Sequence, residues 1–324
     1  MKLKRKKIIL IALFILCILF SIVIINYLKF DESDNVVYKI AYISKSEKED
    51  DLRFITEGIK QAAKDLNAEI TIHTLSKEDN IESQIKLLNE EVENKVDSIL
   101  ISPVDYDKLS NVIEKVNYKI PVILMDSKIR SNEKFDYISC NNYELGRSLA
   151  EEVIQRGNTR RKIAIVEEDN NCSSLKEMDA GFCYELRSTK NILSNLTLEG
   201  SKESYYNQLI KFIKEENIDV IVTFDINVLE VVAKVKKDLQ VDNNLDFEVY
   251  GASKNNKILS YIEEDIINGI VVYNEFNVGY LGVETAIKRL RNEKVYERKI
   301  DYSIVNKRNM YSEKNQKLLF PFVK

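Results

Sequence analysis

The sequence has a single histidine and no tryptophan among its 324 residues. The histidine, His73, lies within the segment ITIHTL, whose β-branched residues are typical of a strand, and we interpret it as structural. A single histidine excludes HExxH zinc sites, which need two. A structural histidine also excludes Ser–His–Asp triads and Cys–His pairs. Phosphate-binding GxxxxGK[ST] loops, GxGxxG fingerprints and GxSxG elbows are also absent. We therefore predict no catalytic residue, no metal site and no cofactor; an extracellular hydrolase is the weakest hypothesis.

Cysteine is scarce as well, with four residues in the chain. Three of them, Cys140, Cys172 and Cys183, follow the apolar N-terminal segment, and an odd number cannot pair completely. We predict buried thiols, with a Cys172–Cys183 bridge as the alternative.

The one long apolar run covers residues 8–28, which are 21 residues without a formal charge. As a helix this run would be about 30 Å long, the thickness of a bilayer core. Five basic residues and no acidic one lie within residues 1–7, so the positive-inside rule keeps that tail in the cytoplasm. We predict a single-pass signal anchor over 8–28, a linker over 29–36 and an extracytoplasmic remainder.

Two alternatives for this run involve processing. A cleaved signal peptide has a shorter apolar stretch and a small-x-small site, whereas Ser21 is flanked by Phe20 and Ile22. A lipoprotein signal needs small residues before its cysteine, and Cys17 follows Phe-Ile-Leu. We therefore favour the uncleaved anchor over a cleaved signal.

The rest of the chain is acidic. The whole chain has a net charge of −4 and the first seven residues contribute +5, which leaves −9 for the remainder. An acidic surface without basic clusters argues against nucleic acid as a partner.

Apolar strand-like segments alternate with amphipathic helical ones through this remainder. The strand candidates are 38–43, 69–75, 97–102, 120–125, 135–139, 161–166, 192–198, 218–224, 246–250 and 269–273. The helical stretches are 52–66, 79–94, 105–117, 142–156, 203–216, 226–239 and 276–292. Strands that are apolar throughout need cover on both faces, so the pattern predicts an α/β fold with doubly wound parallel sheets.

An internal repeat divides this fold into two lobes. Gly58 lies fifteen residues after the strand that ends at Ile43, and Gly181 lies fifteen residues after the strand that ends at Val166. The spacing of about 122 residues predicts two similar lobes. Ligands bind outside the carboxyl ends of parallel strands, so the loops that follow the strands are the site candidates.

Between residues 37 and 305 the chain contains, in order, VDSILISPVDYDKLSNVI, IPVILMD, ISCNNYELGRSLAEEV, KIAIVEEDNNCSSLKEMDAGF, IDVIVTFDINVLEVVAKV and VYGASKNNKILSYIEEDIINGIVVYNEF. These segments resemble the type I periplasmic binding proteins, in the ribose- and xylose-binding branch that shares the ligand-domain fold of LacI-type repressors. The resemblance implies a hinge of about three crossing segments. It places 37–141 and 275–304 in the first lobe, and 142–274 and 305–324 in the second.

The resemblance also implies which loop residues bind ligand. They are Ser44, Lys45, Asp126, Ser127, Lys176, Asp225, Asn227, Ser253, Tyr273 and Asn274. Several depart from the family pattern: Ser127 stands where an arginine often follows the aspartate, and Lys176 replaces an arginine. We expect Asp126 and Lys176 to contact a ligand from opposite lobes. For Asp105 and Asp225 the alternative is helix capping.

The resulting hypothesis is a membrane-anchored binding protein for a small polar ligand of the sugar class. It would serve as receptor subunit of an ABC importer or as co-sensor of a histidine kinase. The alternative is a cell-surface interaction protein whose cleft binds no small ligand.

Overall fold

The computed structural model describes residues 15–18, 20–21, 36–45, 49–75, 80–169, 171–243, 246–296 and 298–320. Most of the predicted anchor over 8–28, together with the tail 1–7 and nearly all of the linker 29–36, lies outside these residues. In the part of the chain that the structure describes, no helix is long and apolar enough to cross a membrane.

The first lobe is built on a five-stranded parallel sheet in the order β2-β1-β3-β4-β5. Its strands are β1 (Tyr38–Ile43), β2 (Ala68–His73), β3 (Ser98–Ile101), β4 (Val122–Met125) and β5 (Asp136–Ile138). Its helices are α1 (Glu49–Asp65), α2 (Asn80–Glu93) and α3 (Ser110–Asn117), joined by α9 (Glu275–Leu290), which packs against α1, β3 and β4.

The second lobe is built on a six-stranded sheet in the order β11-β10-β9-β8-β6-β7. Its strands are β6 (Lys162–Glu168), β7 (Ile192–Leu198), β8 (Val220–Thr223), β9 (Glu248–Ala252), β10 (Gly269–Tyr273) and β11 (Tyr302–Val305). Its helices are α4 (Asn142–Gln155), α5 (Ser173–Leu186), α6 (Lys202–Glu216), α7 (Ile226–Asn243), α8 (Asn256–Glu263) and α10 (Glu313–Leu319). The predicted α/β fold with two parallel-sheet lobes is confirmed.

Strand β3 shows why an apolar pattern without alternation predicted cover on both faces. Ile99 and Ile101 pack into a cluster with Leu109 and Ile113, the latter on α3. Leu100, between them, belongs to the cluster on the other face of the sheet. Both faces are buried, as expected for a central parallel strand.

The last strand corrects the predicted lobe boundary. The family resemblance placed 275–304 in the first lobe, and the sequence pattern predicted no strand there. Residues Tyr302–Val305 instead pair antiparallel with β10, so the chain returns to the second sheet before Tyr302. The pairing satisfies backbone groups along the edge of β10 that would otherwise lie open. Helices α8 and α10 were also not predicted.

The glycine repeat reflects close helix packing in the first lobe. A Cβ added to Gly58 on α1 would lie 2.0 Å from the backbone oxygen of Phe276 on α9. A Cβ on Gly279 of α9 would lie 2.1 Å from the backbone oxygen of Ile55 on α1. Two glycines that face each other thus let the helix backbones touch.

The second lobe repeats this arrangement. A Cβ on Gly181 of α5 would lie 2.0 Å from the backbone oxygen of Tyr143, and one on Gly146 of α4 would lie 1.8 Å from that of Met178. Helices α4 and α9 each follow a crossing between the lobes and begin with an asparagine cap, Asn141 or Asn274. The predicted internal duplication is confirmed in the packing.

The substitution Gly58→Ala is expected to destabilise the protein by about 1–3 kcal/mol or more, because the added methyl group overlaps a backbone atom that cannot rotate away. Urea unfolding of the full chain measures the change. Lys60→Ala on the same helix is the control: its side chain is exposed, and we expect a change within about 0.5 kcal/mol. Equal stability of the two variants would show that α1 and α9 are farther apart than the structure places them.

Candidate functional site

The turn after β4 places Asp126 between the two lobes. Asp126 has a φ of 61°, in the left-handed region that aspartate tolerates better than most residues, and is 4% exposed. Its main-chain oxygen accepts hydrogen bonds from Tyr137 Oη (2.7 Å), Ser139 Oγ (3.2 Å) and Asn142 Nδ2 (3.1 Å). Three donors at the back of the turn hold the carbonyl, and the carboxylate faces the junction of the lobes.

The Asp126 carboxylate receives donors from both lobes. Lys45, in the loop after β1, forms an ion pair with Oδ2. From the second lobe, the Tyr273 hydroxyl at the end of β10 donates to Oδ1 at 2.9 Å. The Ser174 hydroxyl at the start of α5 donates to Oδ2 at 3.2 Å. This one carboxylate therefore joins loops from the carboxyl ends of strands in two sheets.

The charge states around Asp126 follow from these contacts. Burial raises the pKa of Asp126, but the charge and hydrogen bond of Lys45 lower it by more, so the net pKa lies below its usual value. Burial lowers the pKa of Lys45, and the Asp126 carboxylate more than offsets that effect, so the net pKa is raised. Burial and then Asp126 raise the pKa of Tyr273 well above its usual value. At neutral pH the group is a carboxylate, an ammonium and a neutral phenol.

The lowered pKa predicts a pH dependence. An acid whose folded-state pKa is depressed contributes stability that is present above its unfolded pKa, 3.8 for this aspartate, and lost as the pH falls through the folded value. We expect Asp126→Asn to be less stable than the wild type near neutral pH. Its stability should also fall less steeply than that of the wild type as the pH drops below about 3.8. Circular dichroism from pH 6 downward measures both curves; parallel curves would contradict the assigned pKa direction.

A second charged pair lies beside the first. Lys254, in the loop after β9, is 1% exposed and places its Nζ 2.8 Å from Glu275 Oε2 at the start of α9. The same ammonium lies 4.3 Å from the centre of the Phe54 ring on α1. Burial raises the pKa of Glu275, and Lys254 opposes that rise without cancelling it. This pair also joins the lobes.

Neutral contacts close the junction around these charges. Ser127 Oγ lies 3.0 Å from both Cys172 Sγ and Ser174 Oγ. The backbone N–H of Lys128 donates to Ser173 Oγ at 2.6 Å. The loops of the two lobes are thus in direct contact, and the structure is closed.

The family described as periplasmic binding protein domain matches residues 40–294, most of the chain. This chain belongs to that family. The predicted resemblance to type I periplasmic binding proteins is confirmed, and with it the expectation of a binding protein rather than an enzyme. No curated protein matches the sequence significantly.

Solved structures share the fold of this periplasmic binding protein at low identity. A carbohydrate transporter solute-binding protein from Agrobacterium radiobacter, in complex with D-arabinose, has a TM-score of 0.80 at 21% identity, with 88% of this chain and 99% of that chain covered. A solute-binding protein of an ABC transporter from Agrobacterium vitis, with D-fucose, has 0.79 at 22% identity, with 87% and 100% covered. A XylFII–LytSN complex has 0.73 at 19% identity, with 85% and 99% covered.

The structure brings four of the sequence-predicted residues into one network. Lys45, Asp126, Ser127 and Tyr273 are connected through Ser174 or directly. Ser44 is buried next to Lys45, and its main-chain oxygen accepts from Gln84 Nε2 at 2.8 Å. These residues thus lie together in loops at the carboxyl ends of the strands, and their contact with a ligand stays a prediction.

The predicted position of Lys176 opposite Asp126 is wrong. Lys176 is exposed, and its Nζ binds Asn171 Oδ1. The second-lobe group that donates to Asp126 from this loop is the hydroxyl of Ser174, two residues earlier. The start of α5 turns Ser174 inward and buries it completely, which leaves Lys176 on the outer side of the helix.

Two of the other predicted residues, Asp225 and Asn274, have the helix-capping role that was the alternative to ligand binding. Asp225 Oδ1 accepts from the backbone N–H groups of Asn227 (2.7 Å) and Val228 (3.2 Å) at the start of α7, although its charge also helps to raise the pKa of Lys45. Asn274 caps α9. Ser253 has a φ of 73° and donates its N–H to the oxygen of Val271 at 3.2 Å. Ligand contact by these residues stays a prediction.

Sequence reasoning missed four polar residues in or beside the network: Tyr42, Ser174, Lys254 and Glu275. Burial raises the pKa of Tyr42 to about 12, and its hydroxyl lies 3.2 Å from Ser102 Oγ. Lys254 and Glu275 each directly follow a residue that was predicted, so extending each loop by one residue would have found them.

Proposed function

We propose that this periplasmic binding protein is an extracytoplasmic receptor that closes on a small neutral polyhydroxylated ligand, a sugar. The observation that carries the proposal is the buried Asp126 carboxylate, which receives donors from both lobes. A sugar hydroxyl can donate to that carboxylate and accept from the Lys45 ammonium, so it can take a place between them.

The charge balance of the junction favours a ligand without net charge. Two buried ion pairs lie in the junction, Lys45 with Asp126 and Lys254 with Glu275. A charged ligand would leave one of these groups without its counterion in a buried position, at a cost of several kcal/mol. The solved neighbours in complex with D-arabinose and D-fucose support the same ligand class.

Calorimetric titration of the full chain against pentoses and hexoses tests the proposal. A saturable exothermic or endothermic signal with one sugar supports it, and scattering profiles of the open and saturated protein should then differ because the lobes close on the ligand. No binding to any pentose or hexose would contradict it.

The proposal includes the membrane anchor. The basic residues 1–7 and the uncharged run 8–28 support an uncleaved anchor with residues from about 30 onward outside the cell. Protease treatment of intact cells should then remove the soluble part. A mature N-terminus between residues 22 and 30 in mass spectrometry would show cleavage instead.

We further propose that the tethered receptor serves a membrane partner, an ABC permease or a sensor histidine kinase. Tethering raises the effective concentration of the receptor beside its partner. The solved XylFII–LytSN complex shows that a protein of this fold assembles with a second protein, which supports the co-sensor alternative. A neighbouring permease and ATPase gene pair would favour import, and a kinase and response-regulator pair would favour sensing.

A second candidate function is protein interaction by a cleft that takes no small ligand. The contact that favours it is the closed junction itself, where Ser127, Cys172 and Ser174 already bind one another. The sugar titration separates the two candidates, because only the receptor gives a signal.

A further inference from the structure

Strand β7 is an open edge of the second sheet. It comes last in the strand order, and among the described residues it pairs with β6 alone. The main-chain N–H of Ile192 donates to the oxygen of Arg161 at 3.0 Å, where that pairing starts. Because main-chain groups alternate in direction along a strand, those of Leu193, Asn195 and Thr197 point away from β6. These three residues are exposed, so their donors and acceptors are accessible.

This edge lacks the features that normally prevent pairing with another strand, which are charges, prolines, bulges and short length. β7 has seven residues, ILSNLTL, without a charge, a proline or a glycine. The other sheet edges are protected: β2 carries the exposed Glu69, and β5 and β11 have only three and four residues. Ile192 and Leu193 are also 65% and 43% exposed. β7 is therefore the edge best suited to accept a further strand.

The two ends of β7 carry opposite charges. Lys190 precedes the strand, and its N–H donates to the oxygen of Thr159 at 2.9 Å, which places it beside Arg160. At the other end Glu199 directly follows the strand, and Glu167 lies near the same end of β6. The four charged residues are exposed, and Lys190 and Glu199 form no ion pair with a described residue. An antiparallel neighbour whose charges run in the opposite order would complement both ends.

We propose that β7 is a dimer interface, in which it pairs antiparallel with β7 of a second copy about a two-fold axis at Asn195. Asn195 is the middle residue of β7 and its main-chain groups point outward, so it can pair with itself across the axis. This register places Leu193 opposite Thr197 and brings Lys190 close to Glu199, and each contact occurs twice. A second copy thus supplies the required order of charges, and the pairing closes at two chains.

The interface uses the second lobe only. Two six-stranded sheets join into one sheet of twelve strands, and the first lobes take no part in the pairing. Three strands, β6, β8 and β9, separate β7 from β10, which carries Tyr273 at the junction of the lobes. Dimerisation therefore leaves the proposed sugar site uncovered in both copies.

Cysteine cross-linking tests the two-fold axis. The full chain in detergent is oxidised with copper phenanthroline as Asn195→Cys or Thr197→Cys, each combined with Cys17→Ser because Cys17 is exposed. At the axis the two Cα atoms of a hydrogen-bonded pair lie about 5.5 Å apart, within the range of a disulfide. Two residues at position 197 would be offset by four residues, about 14 Å along the strand. Asn195→Cys should therefore give covalent dimers and Thr197→Cys should not.

Exchanging the end charges tests the pairing independently of cysteine. Lys190→Glu and Glu199→Lys each bring like charges together at both ends of the interface, and each should raise the dimer dissociation constant about tenfold at low salt. The double variant Lys190→Glu/Glu199→Lys should restore the wild-type value. Lys64→Glu, which makes the same change of charge at an exposed position on α1, is the matched control and should dimerise as wild type does. Analytical ultracentrifugation measures the four constants.

Three results would overturn the proposal. A wild-type chain that stays monomeric at every concentration would show that β7 does not pair with a second copy. Equal cross-linking of Asn195→Cys and Thr197→Cys would indicate random collision. Assemblies that grow beyond two chains would indicate open-ended strand addition without a two-fold axis. The proposed sugar receptor would survive any of these results, since its own test is the titration.

Discussion

Replacing Glu275 with glutamine is expected to destabilise the folded chain by about 3 kcal/mol, at the lower end of the range for a broken buried ion pair. The variant leaves the Lys254 ammonium, which is 1% exposed, without a carboxylate at 2.8 Å. The lower end applies because burial raises the pKa of Glu275 despite Lys254, so desolvation already offsets part of the attraction. Urea unfolding measures the loss.

Two further variants test whether the loss comes from the unpaired buried charge. The double variant Lys254→Met/Glu275→Leu should recover most of the stability, because a well-packed apolar pair replaces the charges. The matched control is Glu313→Gln, which breaks the exposed pair with Lys317 on α10 and should cost less than about 1 kcal/mol. If the Glu275 and Glu313 variants lose the same stability, the Lys254–Glu275 pair is hydrated and not buried.

Replacing Asp126 with alanine is expected to lower the affinity for a sugar ligand about 10- to 150-fold, the loss of one charge-assisted hydrogen bond worth about 1.5–3 kcal/mol. The carboxylate is the group on which Lys45, Tyr273 and Ser174 converge, so its removal also leaves these donors without their acceptor. Calorimetric titration with the sugar that binds wild type measures the change.

Two controls separate affinity from stability in this prediction. Asp105 Oδ1 accepts from the N–H groups of Asp107 (2.8 Å) and Lys108 (2.6 Å), so Asp105→Ala should cost about 1 kcal/mol of stability and little affinity. Lys176→Ala should bind as wild type does, because Lys176 is exposed and bound to Asn171. Wild-type affinity in Asp126→Ala would exclude the junction as the sugar site.

Contacts between residues that are close in the sequence could be predicted from the sequence. The capping alternative needed only an acidic residue just before a helical stretch, and Asp225 accepts from the backbone N–H groups of Asn227 and Val228 at the start of α7. Asp105 makes the same kind of contact in the turn that precedes α3, whose own N-cap is Leu109. Asp126 could be recognised because a polar residue directly ends an apolar strand. Such contacts span a few residues, so the local sequence specifies them.

The choice between Lys176 and Ser174 could not be made in the same way. Both residues lie in the first two turns of α5, and residue type alone favours Lys176, because a charged donor binds a polar ligand more strongly than a hydroxyl does. Which one faces Asp126 depends on the rotation of α5 about its axis, and that rotation is set by Gly181 and Gly146 packing against the backbones of α4 and α5. Contacts between residues about 32 to 38 positions apart in the sequence thus select the residue that enters the site.

Periodicity, apolar runs and glycine spacing were sufficient for the class of fold, the ten predicted strands and the twofold repeat, because each is a pattern within one segment or between equivalent ones. The edge strand β11 and the pairing of Lys254 with Glu275 followed from the folded chain alone. Both features join segments that come from different parts of the sequence. Burial makes these contacts important for stability, because a charge that is left unpaired away from water costs several kcal/mol. The same charge exposed to water costs little.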